Sequence, residues 1–348
     1  MTNVQDIFGP CVTGHLAACS QVPKAVTNLV NHAVVRLLDS EMLIEDTFAP
    51  MAEVQPAKVQ QPLEQFAQTT FIDELTDDII NKGFGQHFHQ IIGLFGSINL
   101  GLTATDAQIS DVEKWVEQGL FGHFMMTDAG GPTLANWKTS LTPLEDNQFT
   151  LSVNKKWTIE GQKLGFAMVV CQQKGRPFPS TVLLSPEKCA ELTATASGAS
   201  YLDGKLQLGD TKGQVQVSKQ DFLSKGGLGS VNRFLTLVRP RFVKSLMHHL
   251  LWLHNQQRVV LDDDDKSVLD FIINMANWCN SQNTFSIHSV DRVLALKFTS
   301  NELLQNLVIK GAVKQISDAR DLLGFSKMEG SSYRCLFEIY SKFKRGRR

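Results

Sequence analysis

Residues 149–153 read Phe-Thr-Leu-Ser-Val and alternate apolar with polar, the period of two that a strand with one wet face requires. Lys156-Trp-Thr-Ile, Phe166-Ala-Met-Val-Val-Cys, Thr181-Val-Leu-Leu, Leu206-Gln-Leu and Gln214-Val-Gln-Val-Ser extend the pattern. Short strands parted by Gly, Asn and Pro turns predict a small, mostly antiparallel β domain.

On both sides the period changes to that of a helix. Before it, Val26, Leu29, Val30 and Ala33 form one stripe, and Phe71, Leu75, Ile79 and Ile80 another. Asp106–Gly119 has Asp at its start and Gly past its end, as a capped helix would. After it, Phe234, Leu237, Val238, Phe242, Val243, Leu246, Leu250 and Leu253 mark a long stripe interrupted by Pro240. A proline inside a helix costs about 3 kcal/mol, so Pro240 marks either a kink or the true start. Val268–Cys279, Ser289–Asp318 and Ser331–Arg345 continue the helical pattern. The expected class is α+β in three parts: an N-terminal helical domain (1–122), a central antiparallel β domain (123–226) and a C-terminal helical bundle (227–348).

Of 348 residues, 43% are hydrophobic and 20% charged, which excludes a disordered chain, a collagen-like chain and a coiled-coil rod. Lys and Arg number 34 against 35 Asp and Glu, so no global field favours nucleic acid or an anionic membrane. Six scattered cysteines without a CxxC pair read as reduced thiols. No run approaches the ~20 apolar residues of a membrane span, and the first residues lack a basic n-region. The expectation is a soluble, cytoplasmic protein.

Three other features read as ordinary structure. His87, His89, His248, His249 and His254 lack acidic or cysteine partners at metal spacing, so no metal is expected. Asp262–Lys266 (DDDDK) reads as a solvated loop, and the basic residues 342–348 as a complement to a helix dipole. The turn Thr127-Asp-Ala-Gly-Gly-Pro is either a plain loop or a backbone able to approach a flat or phosphorylated ligand. Trp157 is either packing or a wall for an aromatic cofactor.

A helix ending W-x-x-x-G, then G-x-F-x-M-T-D-x-G-G at 122–131, x-K-x-W-x-I-x-G around Trp157 and the strand Phe166–Val170 together resemble the acyl-CoA dehydrogenases. The likeness runs coarsely from Gly101 onward. It implies that family's three-part fold and FAD held beside the β domain. Met126 (by its backbone) and Thr127 fall where the family bonds the flavin ring, Trp157 where an indole lies beside it, and Thr158 one position early for a threonine near flavin N5. Thr133 stands for a serine contacting the cofactor phosphate, and Arg258 for an arginine reaching a partner subunit's cofactor.

The family's chemistry needs a carboxylate to take the proton alpha to a thioester carbonyl while hydride leaves the beta carbon for the flavin. One family position for it, just before the matching Arg241, holds Pro240. The other follows the arginine of an R-D pair by nine residues, and Arg320-Asp321 then Met328-Glu329-Gly330-Ser331 reproduce that spacing. Glu329 is the expected base, although an alignment placing Gly324-Phe325 at the family's Gly-Tyr turn leaves none. The resemblance implies an acyl-CoA or acyl-carrier-protein dehydrogenase, an electron-transfer flavoprotein or other acceptor as partner, and a homodimer or homotetramer. The alternative, suggested by Pro240, the shortened glycine runs and the aspartates, is a catalytically silent binding or assembly subunit.

Overall fold

A computed structural model describes residues 5–39, 76–86, 100, 103–120, 122–131, 134–159, 164–173, 175–176, 179–223, 228–282 and 286–346. Packing divides the chain into two units. One runs from residue 100 to Phe234 among the described residues; the other joins the N-terminal helices and residues 76–86 to the chain from Leu235 on.

The first unit is a seven-stranded sheet: β1 (Gly122–Met125), β2 (Ser140–Pro143), β3 (Gln148–Ile159), β4 (Phe166–Gln173), β5 (Ser180–Leu184), β6 (Thr193–Tyr201) and β7 (Leu206–Ser218). The order is β1-β4-β2-β3-β7-β6, with β5 on β4. β1 and β2 run parallel to β4 and the other pairs are antiparallel, so the sheet is mostly antiparallel, as expected. The two segments read separately around Phe149 and Trp157 are one strand, β3, as are the two that form β7.

β4 is buried on both faces. Ala167, Val169 and Cys171 meet Leu151, Val153, Val215 and Val217 on one side. Phe166 and Met168 meet α3 (Asp106–Glu117) on the other, through Val112 and Trp115. That helix starts at a reciprocal cap between Thr105 and Gln108, so the cap is Thr105 rather than Asp106. Gly122 is dictated by this layer: a Cβ there would lie 2.4 Å from the Phe166 ring.

The helical unit contains α1 (Gln5–Leu16), α2 (Lys24–Asp39), most of α5 (Leu228–Asn255), α6 (Asp263–Ser281), α7 (Ile287–Ile309), α8 (Ile316–Phe325) and α9 (Ser332–Gly346); α4 (Pro186–Ala190) belongs to the sheet unit. α7 touches α1, α2, α6, α8 and α9, and nearly every residue from Val293 to Leu304 is buried. α5 runs unbroken through Pro240, which is buried in mid-helix and not at its start. Phe84, Phe242, Phe325 and His249 form an aromatic knot, with Phe84 5.4 Å from Phe325 and 6.1 Å from Phe242. Burying a Phe side chain contributes about 3 kcal/mol.

The aspartate run is not a solvated loop. Asp262 caps α6 with Asp265 in a reciprocal pair, and Lys310 pairs with both. Acidic groups there face the positive end of the helix dipole, which is why four of them are tolerated together. Among the described residues no helix is long and apolar enough to cross a membrane.

Candidate functional site

The segment after β1 is zipped to β3. Lys156 N donates to Thr127 O at 3.0 Å, and Ala129 N donates to Asn154 O at 3.1 Å. Asp128 is the hub of the turn: its carboxylate accepts from Gly130 N (2.8 Å), Lys138 N (2.7 Å) and Thr139 N (3.0 Å). Burial alone would raise its pKa, but those hydrogen bonds and one from the Thr139 side chain outweigh it and hold the carboxyl below its ordinary value. Lys155, fully buried, donates to Met126 O at 3.0 Å and lies over the Trp137 ring at 4.7 Å. Its pKa is lowered to about 8 by burial, against the pull of Asp128.

Directly after Lys155 the register with β7 slips. Lys155 pairs with Thr211 but Thr158 pairs with Gly209, so β3 carries an extra residue. Trp157 sits in that bulge with φ 58° and is 61% exposed. A bulky side chain in left-handed backbone costs about 1–3 kcal/mol, and such strain collects at binding sites. The bulge follows Lys156, whose N–H holds the Thr127 carbonyl, so an exposed indole and the exposed Thr127 lie on neighbouring segments.

The glycine turn serves the chain itself. A Cβ at Gly130 would lie 1.8 Å from Asn136 O, so the close approach is to the following loop. Thr158 is buried and receives a hydrogen bond from Thr211 Oγ1 at 3.1 Å. Arg258 Nε donates to Asp318 Oδ2 at 2.9 Å, and its guanidinium lies 5.5 Å from the Trp252 ring. Thr133, His87, His89, Phe71 and Leu75 lie outside the described residues, as do the side chains of Lys342, Lys344 and Arg345. His248 Nδ1 bonds Thr76 O, His254 Nδ1 bonds Val259 O, and His249 Nδ1 accepts from Phe84 N.

In the helical unit, Glu329 also has left-handed backbone, with φ 56°. Arg239 Nε donates to its carbonyl at 2.7 Å. Arg241, the arginine singled out from the sequence, instead bonds Leu237 O and Asn280 Oδ1. Burial raises the Glu329 pKa, and the nearby Arg239 and Lys297 pull it back. Its half-buried carboxylate makes no hydrogen bond or ion pair among the described residues. Sequence reading missed Lys155, Asp128 as a turn hub, and the cations around Glu329. A lysine at an inward position of an alternating strand, or in the middle of an apolar helix, was the available signal.

The residues present fit the ring end of a flavin: an exposed indole, a threonine on the adjoining segment, and two buried polar atoms, Trp137 Nε1 and Asn154 Oδ1, that have no hydrogen-bond partner among the described residues. Neither family models nor curated sequences match the chain. Solved structures do. Butyryl-CoA dehydrogenase from Megasphaera elsdenii superposes with a TM-score of 0.66 at 13% identity, covering 99% of each chain. Glutaryl-CoA dehydrogenase from Mycobacterium smegmatis, in complex with FADH2, gives 0.61 at 12%, covering 99% of this chain and 95% of that one. The prolyl acyl carrier protein oxidase AnaB gives 0.60 at 12%, covering 99% and 100%. At these identities the likeness is one of fold.

Proposed function

We propose that this chain, which has the fold of the acyl-CoA dehydrogenases, is a flavin-dependent dehydrogenase of acyl thioesters carried on CoA or an acyl-carrier protein. The observation that carries the reading is the indole of Trp157, exposed on a strained bulge beside Thr127. An apolar aromatic held in water at a conformational cost implies a flat partner. Bound there against Trp157 and Thr127, FAD would supply a two-electron acceptor for the hydride of the beta carbon.

Glu329 takes the alpha proton on a carboxylate oxygen. Burial makes this carboxylate more basic than a solvated one, which favours proton abstraction, while Arg239 and Lys297 offset part of that rise. An electron-transfer flavoprotein or similar acceptor would reoxidise the cofactor, and Arg258 would act only after release from Asp318.

That engagement of Arg258, with Pro240 inside α5, favours the second reading, a silent subunit of the same fold. The visible spectrum of the purified chain separates them. A yellow protein bleached anaerobically by acyl thioester, with bleaching lost and colour kept in Glu329→Gln, supports the enzyme. A colourless chain that FAD does not reconstitute refutes it.

A further inference from the structure

The most buried helix, α7, carries a lysine at its centre. Lys297 has no exposed surface; its Nζ donates to Asn301 Oδ1 at 2.5 Å and to Phe325 O at 3.4 Å, and lies 5.3 Å from the Phe242 ring centroid. Asn301, one helical turn on, passes the grip outward, its Nδ2 donating to Gly330 O at 2.9 Å. Arg239 holds the preceding carbonyl, that of Glu329. Both carbonyls of the Glu329-Gly330 turn are therefore held by side chains from two different helices. Gly330 completes the fit: φ is 120°, and a Cβ would meet Arg239 Nη2 and Cys335 Sγ at 3.3 Å.

Burying an ammonium costs several kcal/mol, and an apolar side chain of like volume would fill the space more cheaply. The neighbouring Thr299 and Ser300 satisfy themselves on carbonyls of their own helix. Lys297 instead bonds the last carbonyl of α8, that of Phe325, and Asn301, whose amide in turn holds Gly330 O beside Glu329. We propose that Lys297 and Asn301 are positioning residues for Glu329: Asn301 fixes the turn through Gly330, and Lys297 fixes Asn301 and supplies a positive charge that acts on the carboxylate through space. The catalytic meaning of this rests on the reading of Glu329 as the base.

The charged and titratable groups around Lys297 are Glu329 on the turn, Cys335 on α9 and Arg239 on α5. Arg334 and Glu338, also on α9, face Cys335 and bond to each other, and Glu302 on α7 is paired with Arg36 of α2. Burial pushes Lys297 down to about 7, so its charge is lost across the neutral range. An opposite charge within reach of a carboxyl lowers its pKa by about 1–3 units.

The test is a titration of the full chain, as purified, by NMR of 13Cδ-labelled glutamate, with the Glu329 signal assigned through Glu329→Gln. Lys297→Met is expected to raise the Glu329 midpoint by about one pH unit. Asn301→Ala is expected to raise it part of the way, because the charge stays while the grip goes. Linkage supplies a reciprocal arm in a variant that keeps the packing: Glu329→Gln lowers the Lys297 midpoint, read at 13Cε, by the same amount. Midpoints that stay put overturn the proposal. None of these readouts uses flavin or substrate. Lost bleaching with unmoved midpoints sinks the positioning role alone. Coupled midpoints with bleaching intact in Glu329→Gln sink the base assignment and leave the coupling standing.

Discussion

Lys155 Nζ stands 3.6 Å from Asp128 Oδ2, and neither side chain reaches solvent. The pair is asymmetric. Asp128 also binds three backbone N–H groups, whereas Lys155 has Asp128, the Met126 carbonyl and the Trp137 ring. Removing the carboxylate takes the acceptor from three backbone N–H groups and the Thr139 side chain and the counter-charge from Lys155; removing the ammonium leaves a carboxylate that is still bonded. Asp128→Ala is therefore expected to destabilise the chain by about 3–5 kcal/mol and Lys155→Met by about 1–3. Urea denaturation with matched m-values measures both, and equal losses would refute the hub role of Asp128.

Trp157 sets stability against binding. Glycine tolerates φ 58° without strain, so Trp157→Gly is expected to stabilise the unliganded chain by about 1 kcal/mol, because the exposed indole contributes little burial. The same change removes the aromatic face, so FAD affinity falls about two- to tenfold, as aromatic-pair contributions of about 0.5–1.5 kcal/mol imply. Thermal melts and flavin fluorescence titration read the two effects. A variant both less stable and equally able to bind FAD would contradict the reading of the bulge.

His249 makes the helical unit acid-sensitive. Burial, with a smaller push from Arg258, holds its pKa down to about 3, and Nδ1 accepts from Phe84 N. Between about pH 6.5 and 3 the unfolded chain binds a proton that the native ring refuses, so stability falls as pH falls. The slope from this residue approaches about 1.4 kcal/mol per pH unit. His249→Asn retains an acceptor for Phe84 but does not titrate. It is expected to be less stable at pH 7, through lost packing, yet flatter between pH 6 and 4; unchanged steepness would show that other groups set the acid limit.

Where side chains alternate (Phe149–Val153, Gln214–Ser218) or form a short apolar run (Phe166–Cys171, Thr181–Leu184), the strands could be read from sequence, and all four fall within strands. β6 escaped because Thr193–Tyr201 is built mostly of Ala, Ser, Thr and Gly and lies at the sheet edge, where one-sided pairing needs little apolar surface. β1 and β2 are four residues each, too short to show a period. At the candidate site, residue types were legible and conformations were not. Trp157 and Glu329 both take left-handed backbone that their side chains disfavour, so tertiary contacts impose it. Lys155 and Lys297 drew no reading from the sequence, because lysine is usually solvated; only the partners brought in by the fold explain their burial.

The aspartate run divides into working and idle members. Asp262 accepts from Asp265 N at 2.8 Å, and Asp265 accepts in return from Asp262 N at 3.1 Å, with Lys310 bonded to both. Asp263 and Asp264 are exposed in the first turn and contribute only through the dipole. Asp262→Ala is expected to cost about 1 kcal/mol, and Asp263→Asn or Asp264→Asn within about 0.5. Hydrogen bonds from Lys310 and from Asp265 N hold the Asp262 carboxyl below its ordinary value. Its contribution is thus present above the pKa of an unfolded aspartate and is lost as pH falls through the lower native value. Chemical denaturation of the three variants at pH 7 and pH 3 is the check: Asp262→Ala should lose its deficit relative to wild type at the lower pH, and equal costs at all three positions would return the run to a solvated charge cluster.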